Sequence, residues 1–178
     1  VTDRQTLARQ LKALRAALIP EAAIWVSWPK KSSKVPTDVT EDVIREVAPD
    51  TIVVHTADNG AWQDAWPDAG TNPFRGEKGT GFEGAFRVPG IMWSPGRIPA
   101  GQVLSEMMSH MDVWPTTATM AGLTPPPHGA WKDNNGKPIY FDGIDNTAYV
   151  TGKAKHSARD SWIYTDGETF LGARYDIG

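Results

Sequence analysis

Asp58, Asn59 and Gly60 follow directly on an apolar, β-branched run, "TIVVHT", at residues 51–56. A carboxylate beside an amide carbonyl offers two hard oxygens, a donor pair suited to Ca²⁺ or Mg²⁺ rather than to zinc or copper. Gly60 lets the backbone turn away sharply. The carboxyl ends of strands in an α/β sheet are where ligands bind. The same three residues also make an ordinary polar turn, and alone they favour that reading. A second group lies downstream, where Gly76, Gly79, Gly81 and Gly84 surround Lys78, with Glu83 and Arg87 close by. A Gly-rich loop can bring backbone N–H groups and a lysine to an oxyanion. No Gly-Lys-Ser/Thr follows at the spacing of a P-loop.

These residues need elements to hold them. Residues 51–56 read as a central strand of a parallel sheet and residues 87–93, "RVPGIMW", as another. Residues 109–122 read as a helix capped by Asp112, with Pro115 in its first turn and Gly122 at its end. "SWIYTD" is a strand, and "FLGARYDIG" a strand followed by a turn. Upstream, Leu7, Leu11, Leu14 and Leu18 fall at helical spacing over residues 5–18, with Thr2 or Asp3 as cap and Pro20 as stop. Residues 22–28 read as a buried strand. Residues 38–47 read as a second helix, opened by a capping box of Asp38 and Glu41. Lys30, Lys31 and Lys34, near Ser32 and Ser33, form a basic loop at a strand end, read as a solvated loop ahead of an anion site. The pattern helix–strand–loop–helix is one and a half units of an α/β sheet.

Composition narrows the field. The 178 residues are 40% hydrophobic and 22% charged, with a net charge of −3, which gives no basic field for nucleic acid. No apolar run approaches the ~20 residues of a membrane span, and no signal peptide is visible. With no cysteine there is no disulfide, thiolate metal site or cysteine nucleophile. Residues 1–48 carry eight Lys/Arg against six Asp/Glu, whereas residues 49–178 carry ten against fifteen and most of the Pro and Gly. The shift divides the chain into a fragment at 1–48 and a second region at 49–178.

The words "TIVVHTADNG", "PFRGEKGTGFEGAFRVPGIMWSPGRIPAG" and "MSHMDVWPTTATMAG", in that order, resemble the latter part of the catalytic domain of the arylsulfatase-type sulfatases. The likeness runs over about residues 50–178. It implies an α/β fold of the alkaline-phosphatase-like kind, a partial sheet with flanking helices, and hydrolysis of sulfuric esters with a divalent cation, Ca²⁺ ahead of Mg²⁺. It also implies that Asp58 and Asn59 are two of four metal ligands, that Lys78 binds the sulfate group, and that Glu83 and Arg87 support the loop. The substrate it implies is a sulfate-ester small molecule or a sulfated glycan, with no nucleic-acid or membrane partner. Residues 1–48 resemble part of a small bacterial domain family of unknown function, a helix-strand-helix, Rossmann-like fragment preceding the sulfatase-like part. The resemblance further implies a formylglycine made from Cys or Ser in Cys/Ser-x-Pro-x-Arg. No position here matches: Ser94-Pro95-Gly96-Arg97 has its proline one place early and reads as a structural turn. The expectation is therefore a truncated sulfatase, catalytically inactive alone. Its rivals are a related phosphoester hydrolase and a non-catalytic fusion or interaction module.

Overall fold

The computed structural model describes residues 1–17, 26, 29, 33–47, 50–65, 68–70, 72–125 and 129–176. It divides into two compact units, Val1–Val53 and Val54–Gly178. In the first, helix α1 spans Arg4–Ala17 and helix α2 spans Glu41–Val47. Asp3 caps α1, its carboxylate accepting the Thr6 N–H at 2.7 Å. Leu7 and Leu11 are buried with Val39 and Ile44, and Val26, Val43 and Val53 pack against them. Burying one such leucine is worth roughly 1.5–3 kcal/mol. Leu14, expected on the same stripe, is 40% exposed. Leu18, Pro20, Lys30, Lys31, Ser32 and most of the expected strand 22–28 lie outside the described residues.

Asp38, expected to open α2 in a capping box with Glu41, does not cap it; the Glu41 side chain lies outside what is described. The Thr40 hydroxyl accepts the Val43 N–H at 3.3 Å, so the helix opens one residue after Thr40. Asp38 instead accepts the Arg4 N–H of α1 at 2.7 Å. A free N–H at the start of α1 competes for the same carboxylate and takes it.

In the second unit, strand β1 (Val53–Thr56) is hydrogen-bonded to strand β2 (Gly90–Trp93) in a sheet of two. The expected buried central strand is half exposed, with β2 its one paired neighbour among the described residues. A short helix α3 (Glu83–Phe86), absent from the sequence reading, occupies the glycine-rich word. It also delays β2, expected from residue 87. Arg87 closes α3 through its N–H to Glu83 O at 2.7 Å, and Pro89 has no N–H to give a ladder.

Helix α4 (His110–Met120) has Ser109 as its N-cap, in a capping box with Asp112. The cap expected from Asp112 therefore moves three residues upstream, and Asp112 is buried. Gly122, at φ +84°, ends the helix in the left-handed conformation. Strands β3 (Trp131–Lys132) and β4 (Pro138–Ile139) make an antiparallel hairpin. Helix α5 (Thr147–Val150) follows, then the antiparallel pair β5 (Ser161–Asp166) and β6 (Thr169–Tyr175). The unit is a mixed helix–strand assembly of small sheets, a partial α/β fold.

Candidate functional site

β1 delivers Asp58 and Asn59 on the bend that follows it, Asp58 exposed and Asn59 half-buried. Gly60 is what fixes that bend. Its N–H donates to Ala85 O of α3 at 2.7 Å, and an added Cβ would stand 1.7 Å from Gly84 O. Gly84 is equally confined, with an added Cβ 2.1 Å from Gly76 O, and its N–H donates to Arg75 O at 2.8 Å. Three backbone stretches thus touch without side chains between them, a packing that only glycine permits.

The lysine loop is tied to the same bend. The Lys78 N–H donates to Ala61 O at 2.8 Å, and Lys78 Nζ sits 5.3 Å from the centre of the Trp62 ring. Gly76 and Gly79 take positive φ, and Glu77 accepts the Gln63 N–H at 2.6 Å. The structure therefore holds the Asp58-Asn59 bend and the Lys78 loop against each other. The lysine is exposed, as an oxyanion contact must be before substrate arrives.

Glu83 anchors the far side. It accepts hydrogen bonds from the Tyr164 hydroxyl, from Arg174 at 2.9 Å and from Arg87 at 3.4 Å. Burial pushes the Glu83 carboxyl up, but the Tyr164 hydroxyl and the two arginines outweigh that and hold it below its ordinary value. Tyr164 is pushed up to about 12, by burial first and by the Glu83 carboxylate second. Glu83 and Arg87 thus support the loop, and Tyr164 and Arg174 join them from a hairpin some eighty residues away. Only distant contacts reveal those two, and no local spacing signals them.

His110 is a second residue that folding recruits. Its Nε2 lies 3.1 Å from Thr56 Oγ1 at the end of β1. The Thr56 hydroxyl donates to Pro89 O at 3.0 Å, so the imidazole N–H is the donor to it. His55 is exposed on β1. Ser94 is buried in a turn, its carbonyl accepting the N–H groups of Arg97 and Ile98, and it presents no nucleophile. His128 lies outside the described residues. Among the described residues, no three His, Asp or Glu side chains converge to hold a metal. Beside the bend, Asp58, His110 and Glu83 border an open groove of about 1050 Å³, otherwise lined largely by apolar side chains such as Ile91, Met92 and Leu104.

The sulfatase family model matches residues 38–123, a span that contains Asp58, Asn59, Lys78 and His110. The segment belongs to the sulfatase family. The match also takes in α2. An N-acetylgalactosamine-6-sulfatase from Canis lupus familiaris is 45% identical over 82 residues, 45% of this chain and 16% of that protein. Among solved structures, the PsFucS1 sulfatase from Pseudoalteromonas sp. superposes with a TM-score of 0.61 at 34% identity. The superposition covers 75% of this chain and 26% of that one. Ps i-CgsB, solved in complex with k-i-k-neocarrahexaose, gives 0.51 at 26% identity over 70% of this chain and 26% of its own. The sulfatase-type chain described here thus spans about a sixth to a quarter of these relatives. The alkaline-phosphatase-like architecture of the family is the fold of its structural neighbours.

Proposed function

We propose that this chain carries one side of a sulfate-ester hydrolase site, a sulfatase region at 49–178 behind a separate fragment at 1–48. One observation carries the reading: a sulfatase segment in which the Gly60–Gly84 contact locks the Asp58-Asn59 bend against the Lys78 loop. Asp58 and Asn59 would hold a divalent cation, Ca²⁺ ahead of Mg²⁺, through one carboxylate and one amide oxygen, which suits a hard cation. Such a cation supplies charge neutralisation at a sulfate oxygen. Lys78 supplies a second positive contact on the same oxyanion. Trp62 beneath its ammonium limits where the lysine swings. Two ligands leave most of a shell of ~6–8 oxygens to water or to other groups, so binding is weak.

The substrate class is a sulfate ester, and the oligosaccharide bound to the Ps i-CgsB neighbour supports a glycan over a small aryl ester. The 178 residues hold no cysteine and no Ser-x-Pro-x-Arg, so the isolated chain has no formylglycine position and turns nothing over. The expected result is a melting temperature that rises with millimolar CaCl₂ in the wild type and not in Asp58→Ala, together with no hydrolysis of p-nitrophenyl sulfate. A melting temperature indifferent to calcium sinks the half-site. Hydrolysis abolished by Asp58→Ala sinks the inactivity.

A further inference from the structure

The β3–β4 hairpin has two unlike faces. Its register pairs Trp131 with Ile139 and Lys132 with Pro138. The paired Trp131 and Ile139 lie on one face, where Phe141 packs against Trp131, and the paired Lys132 and Pro138 lie on the other. The first face is consumed in packing. Trp114 of α4 stacks on Phe141 at 5.2 Å, and Trp131 meets both rings edge-on at 5.6 and 5.1 Å. The second face is not consumed. Tyr140 is 67% exposed, with Gly129 against one side of its ring, where an added Cβ would stand 3.4 Å from Cε1. Lys132 and Lys137 are exposed, and neither forms an ion pair among the described residues. The one nearby carboxylate, Asp133, is occupied by the N–H groups of Asn135 and Lys137 in the turn.

An exposed aromatic plate beside two exposed lysines is a surface for a ligand with an apolar ring face and negative charge. We infer that Tyr140, Lys132 and Lys137, backed by the Trp131–Trp114–Phe141 cluster, form a subsite for one ring of a sulfated oligosaccharide. The subsite lies beside the candidate site and not within it. Trp114 is one turn along α4 from His110, which touches Thr56, two residues before Asp58. An extended glycan reaches from the bend to the plate with a ring further along its chain. The inference names the substrate class of the reading above and rests on it.

Calorimetric titration of the 178-residue chain with a sulfated galactan hexasaccharide, and with its desulfated counterpart, tests this. The sulfated ligand should bind at least roughly ten-fold more tightly at low salt, and the difference should shrink as salt screens the lysines. Tyr140→Ala, at an exposed position that leaves the aromatic cluster intact, should weaken binding roughly five- to ten-fold. Lys132→Glu with Lys137→Glu should remove the preference for sulfate, with circular dichroism confirming the fold of each variant. No binding to the wild type, equal binding of the two ligands, or unchanged binding by both variants overturns the subsite. Gly70→Ala, where an added Cβ meets no atom within 4 Å, should leave hexasaccharide binding intact. A chain that binds through the hairpin but ignores calcium loses only the half-site, and the converse result loses only the subsite.

Discussion

At the scale of single residues, the decisive feature is a missing Cβ. Gly60→Ala would drive a methyl to 1.7 Å from Gly84 O, a backbone atom with no rotamer by which to give way. The expected cost is about 3 kcal/mol or more in urea-unfolding midpoints, against a negligible change for Gly70→Ala, which meets no atom within 4 Å. Glu83 gives a pH-dependent counterpart. Its folded pKa lies below the ordinary 4.5, so its contribution is present above that value and is lost as pH falls through the folded one. Glu83→Gln should flatten the acid limb of stability, measured as urea midpoints between about pH 5 and pH 3. Tyr164 works in the opposite sense. Its contribution is complete below pH 10 and is lost as pH rises through about 12, so ultraviolet titration should show a late phenol that Tyr164→Phe removes.

Among the elements, α4 is held by charge rather than by its apolar face. Asp112 is fully buried and accepts Arg159 at both oxygens, at 2.6 and 2.8 Å. It also accepts the N–H groups of Ser109 and Ile144. Arg159 in turn donates to the Asp142 carbonyl at 2.7 Å. Removing one partner strands the other, so Asp112→Asn or Arg159→Met alone should cost about 3–5 kcal/mol. Replacing both with apolar residues should cost clearly less than the sum, read from a double-mutant cycle in urea. This pair also marks the limit of what the sequence discloses. The helix itself was legible, because Pro115 and Gly122 are local signals, though its cap was read at Asp112 and lies at Ser109. The role of Asp112 was not, because its partner lies forty-seven residues away and shares no periodicity with it. The Asp58, Asn59 and Lys78 candidates were legible as types and words. Their mutual placement depends on Gly60 against Gly84, a contact that no spacing encodes. α3 escaped because four residues are too few to show a helical period, and the β3–β4 hairpin because two-residue strands show no alternation.

Across the whole second unit, the groove of about 1050 Å³ exposes apolar side chains that a complete domain would be expected to cover. Ile91 is 58% exposed on β2 and Leu104 is 41% exposed. The indole N–H of Trp162, on the same wall, is buried with no acceptor among the described residues. The expected outcome is strong enhancement of anilinonaphthalene sulfonate fluorescence by the isolated chain, reduced in Ile91→Lys; a dye-silent chain would show the groove to be filled. The locked bend has a further consequence, in the chemical ageing of the protein. An asparagine followed by glycine is prone to lose its side-chain amide when the next backbone nitrogen attacks it. Here that nitrogen belongs to Gly60, and its N–H is donated to Ala85 O, with 2.7 Å between nitrogen and oxygen. Folding thus guards the Asn59 amide from its own neighbour, and peptide mapping should find deamidation at Asn59 slow in buffer and fast in urea.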